Sequence, residues 1–154
     1  GLTGSPFDSF QALRGLRTLG VRYERQSANA AAIAAFLADH SRVETVFYPG
    51  LAQHAGHAVA ARQQKSFGAM ISFEVDAQTD RVPELLKRLE LFTLAESLGG
   101  VESLVAHPGT MTHAALSAED QVAAGIGAGL LRLSIGIENL EDLVADLEAG
   151  LDAL

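Results

Sequence analysis

Two stretches of this chain alternate apolar and polar residues with a period of two, and most of the remaining pattern repeats every three to four residues. In the first stretch Ala69, Ile71, Phe73 and Val75 alternate with Met70, Ser72 and Glu74, which predicts a strand with one buried face. In the second, over residues 130–137, Leu131, Leu133, Ile135 and Ile137 share one side while Arg132, Ser134 and Gly136 share the other. Arg132 is therefore expected to point away from the apolar core. Residues 43–48, rich in β-branched and aromatic side chains and closed by Pro49-Gly50, predict another strand and a turn, with a short helix after it. The apolar run 91–95 predicts one more strand.

The helical pattern begins at Ser5-Pro6-Phe7-Asp8, where Ser5 can cap, Pro6 suits the first helical position and Asp8 meets the exposed amides. Phe7, Phe10, Leu13 and Leu16 follow at three-residue steps on one face. The alanine-rich run 28–38 carries Ile33, Phe36 and Leu37 in a second helical pattern, and Gly20 is expected to mark a bend between the two. Residues 80–89 predict a helix with Pro83 in its first turn. Ser117-Ala118-Glu119-Asp120 predicts a capped short helix that Gly125 ends. Asn139 is expected to cap the last helix, with Glu141 and Asp142 in its first turn and a stripe of Leu140, Leu143, Val144, Leu147, Leu151 and Leu154. Strands and helices follow no strict βαβ order. The expectation is a single α+β domain over residues 1–154, an α/β sandwich with a mostly antiparallel sheet of about four strands covered by helices on one face.

Length and charge narrow this further. A chain of 154 residues, 48% hydrophobic, can bury one core. Its 11 basic against 19 acidic residues give a net charge of −8, which argues against nucleic acid as a partner because no basic patch can be assembled. No apolar run approaches the roughly 20 residues that span a bilayer, and the first residues lack a secretory pattern, so no membrane association and a cytoplasmic location are expected. The absence of cysteine removes disulfides, thiolate metal sites and thiol nucleophiles together. The start at Gly1-Leu2-Thr3-Gly4, without an initiator Met, points to a fragment or processed product.

Candidate chemistry gathers in two segments: the glycine-bearing turn Glu96-Ser97-Leu98-Gly99-Gly100 and the strand that carries Arg132. A guanidinium beside the small residues Ser134 and Gly136 suits bidentate capture of a carboxylate or phosphate, or else an ion pair with one of the many acids. The turn brings a carboxylate, a hydroxyl and open backbone amides together, or is a plain turn. Arg14, Arg17, Arg22 and Arg25 lie near helical spacing and by default form a solvated face. His54 and His57 fit one helical turn but lack a third ligand, so no metal site is expected. Neither of the two lysines, Lys65 and Lys87, sits where a carbonyl-condensing amine is expected. No dinucleotide-binding glycine fingerprint, P-loop or nucleophile elbow is present, so no complete catalytic set is visible.

Seven ordered blocks carry a resemblance: Ser5-Pro6-Phe7-Asp8, Leu13-Arg14-Gly15-Leu16-Arg17-Thr18-Leu19, Tyr48-Pro49-Gly50-Leu51, Phe67-Gly68-Ala69-Met70-Ile71-Ser72-Phe73, Ser97-Leu98-Gly99-Gly100-Val101-Glu102-Ser103-Leu104, Met111-Thr112-His113 and Arg132-Leu133-Ser134-Ile135-Gly136-Ile137-Glu138. Through them the chain resembles, over almost its whole length, the C-terminal domain of the pyridoxal-phosphate-dependent enzymes of cysteine and methionine metabolism. That family comprises cystathionine synthases and lyases, methionine γ-lyase and homoserine sulfhydrylases. The runs 61–65 and 91–97 are most similar to the bacterial cystathionine γ-synthases, with the γ-lyases next. The resemblance implies a fold-type-I subunit of which this chain is the smaller domain, and whose larger N-terminal domain, absent from this chain, binds pyridoxal 5'-phosphate (PLP) and supplies the cofactor lysine. It implies a homotetramer and an amino-acid substrate. It also implies that Arg132 grips the substrate α-carboxylate, that Ser97 lies beside the cofactor lysine and helps to orient it, and that Glu96 and Leu98 contact the substrate. This chain alone is then expected to be inactive. Two other classes stay open: a non-catalytic domain that binds a free amino acid as a regulator, and an oligomerisation module.

Overall fold

In the computed structural model, which describes residues 3–76 and 81–154, the two alternating stretches become the centre of one sheet. The strands are β1 (Val43–Phe47), β2 (Met70–Val75), β3 (Thr93–Leu94), β4 (Leu104–Ala106) and β5 (Leu130–Ser134), in the order β1-β2-β5-β4-β3. Three of the four pairings are antiparallel, and only β3 with β4 is parallel. The helices are α1 (Pro6–Leu16), α2 (Leu19–Asp39), α3 (His57–Gln63), α4 (Val82–Arg88), α5 (Ala118–Ala123) and α6 (Leu140–Leu151). The architecture is α+β.

Register fixes which residues share a face. Ile71 pairs with Leu133 and Phe73 with Leu131, so the apolar sets of β2 and β5 fall on the same side. There they meet Ile33, Ala34 and Leu37 of α2, Val82 and Leu85 of α4, and Leu143, Leu147 and Leu151 of α6 in one core. The opposite face has Ser72 across from Arg132 and Met70 across from Ser134. Three caps act as expected: Ser5, Ser117 and Asn139 each accept backbone N–H groups at the start of their helices. The helix expected over 80–89 runs Val82–Arg88 with Pro83 at its start, and Asp80 lies outside the described residues, as do Gly1 and Leu2.

Several expectations need correction. The sheet has five strands, not about four, because Leu104–Ala106 is buried on both faces and so shows no alternation. Of the run 91–95 only Thr93–Leu94 joins the ladder. The buried Asp146 carboxylate of α6 takes the N–H groups of Glu90 at 2.7 Å, and of Leu91 and Phe92 at 3.0 Å, before the strand begins. The break between α1 and α2 falls at Arg17-Thr18 rather than at Gly20, which lies inside α2; Arg22 reaches back across it to Gly15 O at 2.9 Å. Ile137 is 39% exposed instead of core-facing, since the strand ends at Ser134 and its N–H turns to Val101 O at 2.9 Å. The face Phe7, Phe10, Leu13 and Leu16 exists on α1 but is exposed in this chain.

Candidate active site

The two chemistry-bearing segments of the sequence lie side by side, and the side chains of Ser134, Ser103, Glu138, Gln26 and Asn29 hold them there by hydrogen bonds. Ser134 faces outward with Arg132 as the alternation predicts, but it is buried there under the 97–100 turn, where its Oγ accepts the Gly99 N–H at 2.9 Å. Gly99 has φ +80, a conformation open to glycine and strained for other residues, and this aims its amide at β5. Fully buried Ser103 accepts the Gly136 N–H at 2.9 Å and donates its hydroxyl to Glu138 Oε2 at 2.9 Å. A Cβ on Gly136 would collide with Val101 O and stand 2.7 Å from the Glu102 carbonyl carbon, so the two segments can approach this closely only with glycine there. From behind, α2 adds Gln26, which donates to Gly100 O at 2.6 Å, and Asn29, which donates to Gly136 O at 3.2 Å and Glu138 O at 3.0 Å.

The result is a cleft of about 880 Å³ on the face of the sheet away from the helical core. Its floor is Met70 and Ser72 of β2 with Arg132 and Ser134 of β5; its walls are Leu98-Gly99, Phe47, the loop 64–69, and Tyr23 with Gln26 of α2. Arg132 is half-buried, and its Nη2 donates to Ser97 O at 3.5 Å. It forms no ion pair among the described residues, where the only one is Lys87 with Glu84 at 2.9 Å. The guanidinium thus faces the cleft with most of its five donors unengaged, which is what a planar anion requires.

The other residues singled out in the sequence fall into place around it. Leu98 lines the cleft and is 56% exposed. Ser97 and Glu96 are exposed and neither lines the cleft; Ser97 meets Arg132 through its backbone carbonyl, and Glu96 makes no such contact. His54 and His57 serve the fold: His54 Nδ1 accepts the Gly56 N–H at 3.0 Å, and His57 donates to Pro49 O at 2.8 Å while stacking on Phe67. No group of three potential metal ligands occurs among the described residues. Arg22 and Arg25 bond to backbone carbonyls, Arg25 to Glu138 O at 3.3 Å, so half of that arginine series ties down structure. No helix among the described residues is long and apolar enough to cross a membrane.

Sequence reasoning passed over Ser72, Tyr23 and Gln26. Ser72 carried a usable signal, since it lies on the polar side of an alternating strand, as Arg132 does. Tyr23 and Gln26 carried none, because their approach to the cleft depends on where α2 crosses the sheet. Tyr48, under the loop at 64–69, donates to Gly68 O at 3.1 Å; burial pushes its phenol up to about 12, and neighbouring Tyr23 adds to the rise.

The chain is similar to known proteins in sequence and in fold. The cystathionine γ-synthase of Escherichia coli K12 is 54% identical over 153 residues, covering 99% of this chain and 40% of that protein. The cystathionine γ-lyase of Dictyostelium discoideum is 50% identical over 152 residues, covering 99% of this chain and 39% of its own length. The crystal structure of cystathionine γ-synthase from Xanthomonas oryzae pv. oryzae, in complex with aminoacrylate and cysteine, superposes with a TM-score of 0.93 at 61% identity, over 99% of this chain and 39% of that one. The chain therefore spans about two fifths of the length of these relatives. The family model for Cys/Met metabolism PLP-dependent enzymes matches residues 1–152, and the chain belongs to that family.

Proposed function

We propose that this chain is the C-terminal, substrate-recognising part of a cystathionine γ-synthase, which replaces the γ-substituent of an O-acylhomoserine, such as O-succinylhomoserine, with the thiol of cysteine to give cystathionine. The observation that carries this reading is Arg132, held half-buried in the cleft with no ion-pair partner among the described residues. Its fork suits the α-carboxylate of an amino acid. Ser97, whose carbonyl meets Arg132, is assigned to orienting the reacting end, the exposed Glu96 to contacting the substrate amine or side chain, and Leu98 to walling the cleft.

The cofactor is a different matter. Lys87 is exposed and ion-paired with Glu84, and Lys65 is exposed where it lines the cleft, so neither has the apolar enclosure that a nucleophilic lysine needs. The residues of this chain do not by themselves fit PLP. In this reading the cofactor and its lysine are contributed by an N-terminal domain of the same protein, in a cytoplasmic homotetramer. When bound, PLP supplies the electron sink for proton loss at the substrate.

A second reading, cystathionine γ-lyase, is supported by the 50% identity to a protein of that activity. Incubating the full-length protein with an O-acylhomoserine, with and without cysteine, separates the two. Cystathionine formed only when cysteine is present is the expected result. A 2-oxo acid and ammonia released from cystathionine itself would replace the synthase reading by the lyase. The isolated 154-residue chain is expected to show no turnover until the N-terminal segment and PLP are added; turnover by the chain alone would overturn the division of labour.

A further inference from the structure

Among the described residues Glu138 is a carboxylate with no ion-paired cation. Both of its oxygens are taken by one residue: Oε1 by the Ser103 N–H at 2.6 Å and Oε2 by the Ser103 hydroxyl at 2.9 Å. It is only partly buried, and in a chain of net charge −8 an unpaired acid would ordinarily be left to water. Here it closes a loop of contacts. Ser103 Oγ, while donating to Glu138, accepts the Gly136 N–H at 2.9 Å, so one hydroxyl joins the turn to the continuation of β5. Beyond Ser134 and Leu104 the ladder between β4 and β5 has ended, and these side-chain bonds take over from it. The far end of the same turn is fixed by Ser134 Oγ on the Gly99 N–H. Two residues before the Gly99 attachment, outside the span that the two attachments bracket, the chain presents Ser97 O to Arg132.

We propose that Glu138, acting through Ser103, is a positioning residue for the substrate α-carboxylate. It sets the height of the 97–100 turn above Arg132 and so the width of the slot in which a carboxylate is gripped. The inference rests on the amino-acid-binding reading of Arg132 given above, not on which γ-reaction follows. Hydrogen bonds to a charged acceptor are short and strong, and a two-point attachment fixes direction as well as distance. A shift of the order of 1 Å in such a supporting element is enough to lower the efficiency of a site.

The test uses the full-length holoprotein and L-norvaline, an amino acid with no γ leaving group, titrated against the absorbance of the bound cofactor. Glu138→Ala is expected to raise the norvaline Kd about tenfold, and Glu138→Gln, which keeps an acceptor for the Ser103 N–H, by roughly threefold or less. Ser103→Ala, which removes the bridging hydroxyl while leaving the backbone bond, should lie between them. A double-mutant cycle with Arg132→Lys should be non-additive, because the clasp acts through the same carboxylate. A purely structural role would lower the melting temperature and leave the norvaline Kd of the folded fraction unchanged. That result, or strict additivity with Arg132→Lys, would overturn the proposal. If wild-type protein binds norvaline but does not join cysteine to an O-acylhomoserine, the reaction assigned above fails while the binding series still decides the role of Glu138. Wild-type holoprotein that binds no amino acid overturns both.

Discussion

The two faces of the central sheet are separated by a single residue step along each strand, yet they are specified in different ways. On one, Ile71, Phe73, Leu131 and Leu133 are almost wholly buried under α2 and α6, and any apolar side chain of the right volume would serve there. On the other, Ser72, Arg132 and Ser134 border an open cleft, where the identity of each polar atom matters and little packing energy is at stake. Packing is concentrated on the first face, and the recognition proposed above on the second. Changes to adjacent residues of the same strand should therefore give opposite phenotypes.

The strongest test of this contrast is Phe73→Ala. Phe73 is fully buried at the centre of the core, and its removal should cost about 3–5 kcal/mol of unfolding free energy in a denaturant titration. Its neighbour Ser72→Ala, half-buried on the cleft face, should change stability by roughly 0.5 kcal/mol or less. Comparable losses for both would mean that the cleft face is packed like the core and that the division fails.

Arg132→Lys probes the other face. Replacing a planar fork by a point charge should lower kcat/KM of the full-length protein by roughly ten- to 150-fold, equivalent to about 1.5–3 kcal/mol, mainly through KM. The absorbance of the bound cofactor and the melting temperature should stay at their wild-type values. An unchanged KM would remove Arg132 from the site, and a large fall in melting temperature would place it with Phe73 as a structural residue.

What the sequence revealed differs between the faces in the same way. The alternation in β2 and β5 identified both strands, their buried sides and the outward aim of Arg132, because a half-buried strand writes its orientation into every second residue. Helix caps were equally readable, since Ser5, Ser117 and Asn139 act within a few residues of themselves. The order β1-β2-β5-β4-β3 and the parallel pairing of β3 with β4 were not, because they are set by contacts between distant segments. Asp146 shows the limit well: its bonds to the amides of residues 90–92 span more than 50 positions and shorten a strand that the local apolar run predicts. The turn at 96–104 and the strand at 130–138 could be recognised separately as candidate halves of a site. The serines that join them, Ser103 and Ser134, gave no local sign of that role, since a serine in a strand or turn is ordinarily left to solvent.

The smallest expected effect belongs to Tyr48, which lies at the seam between the faces: its ring is buried with the core and its hydroxyl reaches Gly68 on the cleft wall at 3.1 Å. In the unfolded chain a tyrosine loses its proton near pH 10. In the folded protein burial, together with Tyr23, pushes Tyr48 up to about 12. The folded state therefore binds the proton more tightly, so this contribution to stability is fully present below about pH 10 and is lost as the pH rises from there through about 12. Tyr48→Phe should cost about 1 kcal/mol at pH 8 for the lost hydrogen bond to Gly68 and should flatten the decline of stability above pH 10. If the variant declines as steeply as the wild type, the alkaline loss originates elsewhere and Tyr48 is not desolvated at the seam. If it declines less and KM for the amino-acid substrate stays within about twofold, the seam residue belongs to the packed face, and the boundary between stability and recognition runs through the loop at 64–69 rather than through the core.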